Sequence, residues 1–197
     1  MLEVELKSVV DDMERRRAAI EAAGAALVFS GLLEDRRYDT AERSLTAADQ
    51  VLRVRVYRDA HGSRAELDWK GQTRREGGYK LREELETDVS DGDTLVAILD
   101  KIGYVATIAI DREIMQYDLN GTMIRFERYP RMDTLVEVEG APEQIEAAID
   151  VLGMPRDGFT SERLADFAAR FEARTGTRAA LSHAALANDS GFDPINA

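Results

Sequence analysis

The 197-residue chain reads as an α+β fold, a closed eight-stranded antiparallel β-barrel with peripheral helices. Three observations lead there. Six segments alternate charged and apolar side chains at period two, the period of a strand. Most of these segments are joined by short turns, as in hairpins. The helical patterns between them each carry one apolar stripe, which suits packing against the outside of a sheet. A single strand of this kind is equally well an ordinary half-exposed strand with its charges in water. Six of them, with both signs mixed, point to a closed sheet with a polar interior and a covered exterior.

The first segment, Glu3-Val4-Glu5-Leu6-Lys7, puts Glu3, Glu5 and Lys7 on one face and Leu2, Val4 and Leu6 on the other. Asp11 or Asp12 can cap a helix to about residue 23, with Met13, Ala19, Ile20 and Ala23 as its stripe and Gly24 as its stop. Residues 27–39 read as a second strand and 41–50 as a polar connector. A hairpin follows, 51–58 and 64–70, turning at His61-Gly62. Residues 71–78 (GQTRREGG) do not match a phosphate-loop motif and read as a mobile surface loop.

Residues 79–89 form the next strand. Ser90 or Asp91 then caps a helix to about residue 102, with Leu95, Ile98, Leu99 and Ile102 on one face. A long strand over 104–119 turns at Asn120-Gly121 and returns over 122–129. Pro130 breaks it, and 134–139 makes the last strand. Pro142 opens a helix carrying Ile145, Ala148, Ile149 and Leu152, and Ser161 begins another through about residue 174, with Leu164, Phe167, Ala168 and Phe171 inward. Both stripes read as packing. Residues 1–176 are expected to form one domain and 177–197 a tail, with a short helix over 179–187 and the last ten residues loosely held.

Composition narrows the chemistry. No apolar run is long enough to span a bilayer, and the charged first strand argues against a cleavable secretory signal. The absence of cysteine excludes disulfides, thiolate metal sites and a cysteine nucleophile. A bacterial cytoplasmic protein is the expectation. The net charge of −12, from 26 basic and 38 acidic residues, makes a poor nucleic-acid binder. The cations nevertheless cluster on strands that also carry Glu, which suits a small anionic ligand with metal. Glu3 and Glu5, one β-repeat apart, suit shared ligation of a divalent cation, with Lys7 nearby to hold an anion. With two histidines in the chain, a catalytic metal is expected to be oxygen-ligated, Mg²⁺ or Mn²⁺.

The opening Glu3-x-Glu5-x-Lys7 resembles the ExExK signature of the CYTH superfamily, the triphosphate tunnel metalloenzymes. The likeness continues in order through Leu52-Arg53-Val54-Arg55, Trp69-Lys70-Gly71, Lys80-Leu81-Arg82-Glu83-Glu84, Arg112 and the closing Glu137-Val138-Glu139. The resemblance implies an eight-stranded barrel whose tunnel binds a triphosphate. It further implies that Lys7, Arg53, Arg55, Lys70, Arg82 and Arg112 contact phosphate oxygens. Glu3, Glu5, Glu137 and Glu139 would hold Mg²⁺ or Mn²⁺, with Glu84 as a supporting acid. Glu127 stands where many members carry Asp, one methylene shorter. Two departures matter more. The second strand often ends Tyr-Phe-Asp, and here it is Arg37-Tyr38-Asp39. Many members have Lys-x-Arg on the sixth strand, and here Ile110 precedes Arg112 by two; either the substrate contacts differ or Arg125, an extra cation on a neighbouring strand, compensates.

Two reactions fit this resemblance. One is metal-dependent hydrolysis of inorganic, thiamine or nucleoside triphosphate. Lys80 there resembles a lysine that activates water, although it reads equally as an outward solvated lysine. The other is cyclisation of ATP to cyclic AMP and pyrophosphate, as in class IV adenylyl cyclases. A module that binds triphosphate without turnover is a third reading. No membrane partner is expected, and the oligomeric state is open, a homodimer included. Four converging carboxylates are expected to raise one another's pKa. Loss of Arg53 or Arg55 is expected to weaken binding with little loss of fold.

Overall fold

The computed structural model describes residues 2–188, with side chains from Val4 onward. Along the described chain run β1 (Leu2–Val9), α1 (Met13–Ala22), β2 (Ala26–Thr40), α2 (Ser44–Ala47) and β3 (Val51–Asp59). There follow β4 (Gly62–Lys70), β5 (Arg74–Glu76), β6 (Tyr79–Val89), α3 (Gly92–Lys101), β7 (Tyr104–Leu119) and β8 (Thr122–Arg128). The last are β9 (Leu135–Glu139), α4 (Pro142–Leu152), α5 (Leu164–Thr175) and α6 (His183–Ala187). The sheet runs β1-β9-β8-β7-β2-β3-β4-β6, and β6 pairs back onto β1. Eight antiparallel strands therefore close a barrel, as the alternation predicts.

The closing strand β1 is shared lengthwise. Its residues 2–5 pair with β6 and residues 5–9 with β9. Closure removes the sheet edges, and period-two alternation then sends every second side chain inward. The charged faces of Glu5, Lys7, Arg53, Arg55, Arg125 and Glu137 go in, and the apolar faces go out under helices. On the outside, Ile145, Ala148, Ile149 and Leu152 of α4 pack on Leu6, Ile124, Phe126, Val136 and Val138. Each such fully buried side chain contributes roughly 1.5–3 kcal/mol.

The segment 71–78, expected as a mobile surface loop, is instead a hairpin. β5 resumes on the same edge of β6 that β4 occupies, with Arg74 opposite Leu81. Gly77 and Gly78 turn the chain at φ of 58° and 85°. Two consecutive residues at positive φ match the twist of the flanking strands, and glycine adopts that conformation at no steric cost.

Other differences are local. Asp12 caps α1, but Ala23 is exposed, and the buried positions of α1 are Ile20 and Arg16. The Arg16 guanidinium donates to the carbonyls of Leu152 at 3.1 Å and Gly153 at 2.7 Å, which accounts for a buried cation in that face. α3 buries Leu99, whereas Ile98 and Ile102 are 50% and 63% exposed. α5 starts three residues later than Ser161. The helix expected over 179–187 starts at His183, because the residues before it run extended. Arg131 and Ala180 exchange backbone hydrogen bonds of 3.0 and 2.8 Å, and the Asp111 N–H donates to the Leu181 carbonyl at 2.7 Å. The ends of the last segment, 189–197, lie outside the described residues.

Candidate active site

Three rungs between β2 and β3 set the depth of the barrel interior. Leu33 lies opposite Tyr57, Asp35 opposite Arg55, and Arg37 opposite Arg53. The first rung is apolar. Leu33, Tyr57 and Ile114 are buried together with Phe29 beside them, and Phe29 meets Tyr57 edge-on at 5.3 Å between ring centroids. This cluster stops one end, so the polar interior is a blind pocket. Its open rim is formed by Thr46, Asp49 and Gln50 before β3 and by Glu162, Arg163 and Leu164 at the start of α5.

The pocket measures about 220 Å³, and among the described residues ten Lys or Arg and seven Asp or Glu side chains line it. A cavity with a surplus of cations stands inside a chain whose net charge is −12. The surplus therefore reflects selection of which faces turn inward. Such a cavity attracts anions.

Most of these cations are held by specific carboxylates. Arg53 lies 3.2 Å from Asp68, 3.2 Å from Glu84 and 3.5 Å from Asp35. Arg55 lies 3.3 Å from Asp68 and 3.8 Å from Asp35. Arg112 reaches Glu127 at 2.9 Å and Asp35 at 3.8 Å. Asp35, 1% exposed, is thus a common counter-ion for three arginines. Burial works against its ionised form, but Arg53 and Arg112 outweigh burial and its pKa falls. Lys70 sits 3.1 Å from Glu84. Arg125 contacts Glu127 at 3.0 Å and also Glu137. The Tyr129 hydroxyl donates to Glu127 at 2.5 Å.

Arg82 differs from the others. Its guanidinium donates to the carbonyls of Gly71 at 2.6 Å and Asp49 at 2.8 Å. It therefore ties β4 to the connector before β3 as well as lining the pocket. Lys80, which from sequence could face out or in, faces in and donates to Glu5.

The carboxylates of the first and last strands converge. Lys7 opposes Glu137 in the ladder and Glu5 opposes Glu139. The Lys7 ammonium lies 2.8 Å from Glu5 and 2.6 Å from Glu137. The expected mutual raising of carboxyl pKa is not what the pocket shows. Burial pushes Glu137 up, but Arg125 and Lys7 more than offset it and bring the carboxyl to about 2. Glu5 is likewise driven well below its ordinary value against its own burial, by Lys7, Lys80 and Lys70. The cations that sequence assigned to phosphate also neutralise the carboxylates, which is why repulsion does not dominate. The Glu3 side chain lies outside the described residues; its backbone pairs with Arg82.

Oxygen donors around Lys7 suit Mg²⁺ or Mn²⁺. One ammonium already bridges two carboxylates there, so this wall accommodates a cation. Among the described residues, the group of three acids close enough to share a metal is a different one and was not expected. Asp68, Glu84 and Glu86 place carboxylate oxygens within 4.8 Å of one another. Arg53, Arg55 and Lys70 already engage the first two of these, and burial together with Asp68 and Glu84 raises the pKa of Glu86.

Sequence reading passed over Asp35, Arg37, Asp68 and Tyr129 as site residues. Three of them carried a signal. Asp35-x-Arg37-x-Asp39 and Asp68-x-Lys70 share the inward parity of their strands. Tyr129, after the strand's end, carried none.

A model of the CYTH domain matches residues 1–151. The chain belongs to the CYTH domain family. Comparison with curated proteins finds no match. Among solved structures, the CYTH barrel described here is similar to a candidate adenylate cyclase from Vibrio parahaemolyticus, at 16% identity and a TM-score of 0.74, covering 86% of this chain and 98% of that one. It is similar to a conserved hypothetical protein from Pyrococcus furiosus, at 19% identity and a TM-score of 0.66, covering 84% and 99%. A candidate adenylyl cyclase from Hippeastrum, whose structure is said to reveal a dominant triphosphatase activity, matches at 18% identity and a TM-score of 0.58, covering 92% and 99%. At these identities the likeness is one of fold. No helix among the described residues is long and apolar enough to cross a membrane.

Proposed function

We propose that this CYTH protein is a metal-dependent phosphohydrolase whose substrate is inorganic triphosphate, thiamine triphosphate or a nucleoside triphosphate held end-on in the blind pocket. The observation that carries the proposal is the surplus of cations lining the pocket, ten against seven carboxylates among the described residues, in an acidic chain. A triphosphate bears about four negative charges, and fixed guanidinium and ammonium groups offset its loss of water. Arg53, Arg55 and Arg112 grip phosphoryl oxygens through planar forks, and Lys7 and Lys70 act as point charges. Arg82 and Arg125 complete the wall.

Glu5 and Glu137, with Glu139 in the same ladder, Glu3 two residues before Glu5 on β1 and Glu127 behind Arg125, are the residues that would hold Mg²⁺ or Mn²⁺. When bound, the metal neutralises phosphoryl oxygens as charge shifts to the leaving group. Lys80, against Glu5, orients the attacking water. Water oxygen forms the new P–O bond, the bridging P–O bond breaks, its electrons leave with the departing phosphate chain, and the water proton passes to a phosphate oxygen. Glu84 acts by position, since it holds Arg53 and Lys70 in place.

The pocket size favours hydrolysis. At about 220 Å³ it lies below the roughly 300–1,000 Å³ of pockets that bury a drug-sized ligand. It takes in a phosphate chain and leaves an organic group at the rim. Cyclisation needs the ribose held against the α-phosphorus. One observation favours cyclisation, the apolar rim formed by Leu52, Ile108 and Leu164, which offers a surface to a base. Incubation with inorganic triphosphate, thiamine triphosphate and ATP, each with Mg²⁺ or Mn²⁺, separates the two. Release of orthophosphate is expected. Cyclic AMP with pyrophosphate would replace the hydrolytic reading, and binding without any product would make the protein a triphosphate-binding module.

A further inference from the structure

Arg37 is the member of the Asp35-x-Arg37-x-Asp39 face that the network leaves out. Asp39 accepts from the N–H groups of Leu45 and Thr46, each at 2.9 Å, and so anchors α2. Asp35 is surrounded by Arg53, Arg55 and Arg112. Arg37, between them, makes no side-chain hydrogen bond or ion pair among the described residues, and its Nε is buried without a partner. It lines the pocket. On β3 its direct cross-strand partner is Arg53, and on β7 it is Ile108. Like charges directly opposite destabilise a sheet, and Arg53 spends its own contacts on Asp68 and Glu84. Burial lowers the Arg37 pKa, and Arg53, Arg112 and Arg82 lower it further against the pull of Asp35.

A half-buried guanidinium that shares the field of Asp35 with three other arginines, and makes no hydrogen bond or ion pair of its own among the described residues, is under-compensated in the empty protein. Its position makes sense if an anion completes it. We propose that Arg37 is a phosphoryl-binding residue that, with Arg53 opposite, clamps the phosphoryl group of the substrate nearer the rim. This rests on the triphosphate reading above. The Arg37–Arg53 rung is one step further from the apolar stop than the Asp35–Arg55 rung, so the clamp faces the outer part of the chain. The neighbouring β7 positions are Ile108 and Ile110, which offer no charge there, and Arg37 supplies it from the adjacent strand.

The test titrates inorganic triphosphate, in EDTA and separately with Mg²⁺, into wild type, Arg37→Ala and Arg37→Lys, with apo melting curves for all three. Arg37→Ala should bind about 10- to 100-fold more weakly, and Arg37→Lys should recover part of that loss. Because the empty pocket loses an unpaired cation, the apo Arg37→Ala protein should melt no lower than wild type. Unchanged affinity in both variants, or a lower melting temperature with unchanged affinity, would show that Arg37 only packs. A wild type that takes up no triphosphate under either condition would defeat the underlying reading itself, and this inference with it.

Discussion

The Lys7 ammonium on the first strand stands 2.6 Å from the Glu137 carboxylate on the ninth. One contact thus joins the two ends of the barrel and the two halves of the carboxylate set. It also reverses the expected electrostatics, because each carboxylate is stabilised in its charged form before any metal arrives.

Acid stability should report that contact. The folded pKa of Glu137 is depressed to about 2, so its contribution to stability is present above the ordinary carboxylate value. That contribution is lost as pH falls from about 4.5 towards 2. Its size is roughly 2–4 kcal/mol. Urea unfolding between pH 2 and 7 should show a steeper loss for wild type than for Glu137→Gln. Parallel profiles would remove Glu137 from the acid transition.

Chelation should abolish turnover, and Mg²⁺ or Mn²⁺ should restore it. Mn²⁺ should also raise the melting temperature of wild type more than that of Glu3→Gln or Glu139→Gln. Equal stabilisation of all three proteins would place the cation elsewhere, with the Asp68, Glu84 and Glu86 group the next set to vary.

Asp35 is the common counter-ion of Arg53, Arg55 and Arg112. Asp35→Asn strands buried positive charge and should cost about 3–5 kcal/mol. The denaturant midpoint measures this. An unchanged midpoint would mean that the remaining carboxylates suffice.

Arg53→Ala and Arg55→Ala should each weaken triphosphate binding in calorimetry. The sequence led us to expect little loss of fold, but Asp68 is 0% exposed and leans on both. Both variants should therefore also lose stability, in contrast to Arg37→Ala. Undiminished affinity in both would take these arginines out of the substrate site.

Much of this was legible because a strand's side chains alternate between faces, interrupted in the β2–β7 ladder only by the register shifts at Leu27/Phe29 and Arg37/Tyr38. Parity placed Lys7, Arg53, Arg55, Lys70, Arg82, Arg125, Glu127 and Glu137 on the charged faces of their strands, and the family resemblance added Arg112. The two-residue turn at Asn120-Gly121 and the caps at Asp12 and Asp91 were equally local, as were the stripes of α4 and α5. The hairpin at Gly77-Gly78 was local too, but its charged approach resembled a loop.

The sequence by itself determined the strand faces, the helices and the mixed charge of the interior, because these follow from neighbours two to four residues apart. Tertiary structure alone decided which cation meets which carboxylate. It set Lys7 between Glu5 and Glu137, gave Asp35 three arginines and left Arg37 without an ion pair among the described residues. It also turned Lys80 inward and stopped one end of the barrel with Leu33, Tyr57 and Ile114. These outcomes depend on register between strands far apart in the chain and on charge balance summed over the closed barrel. Neither quantity is carried by any one segment.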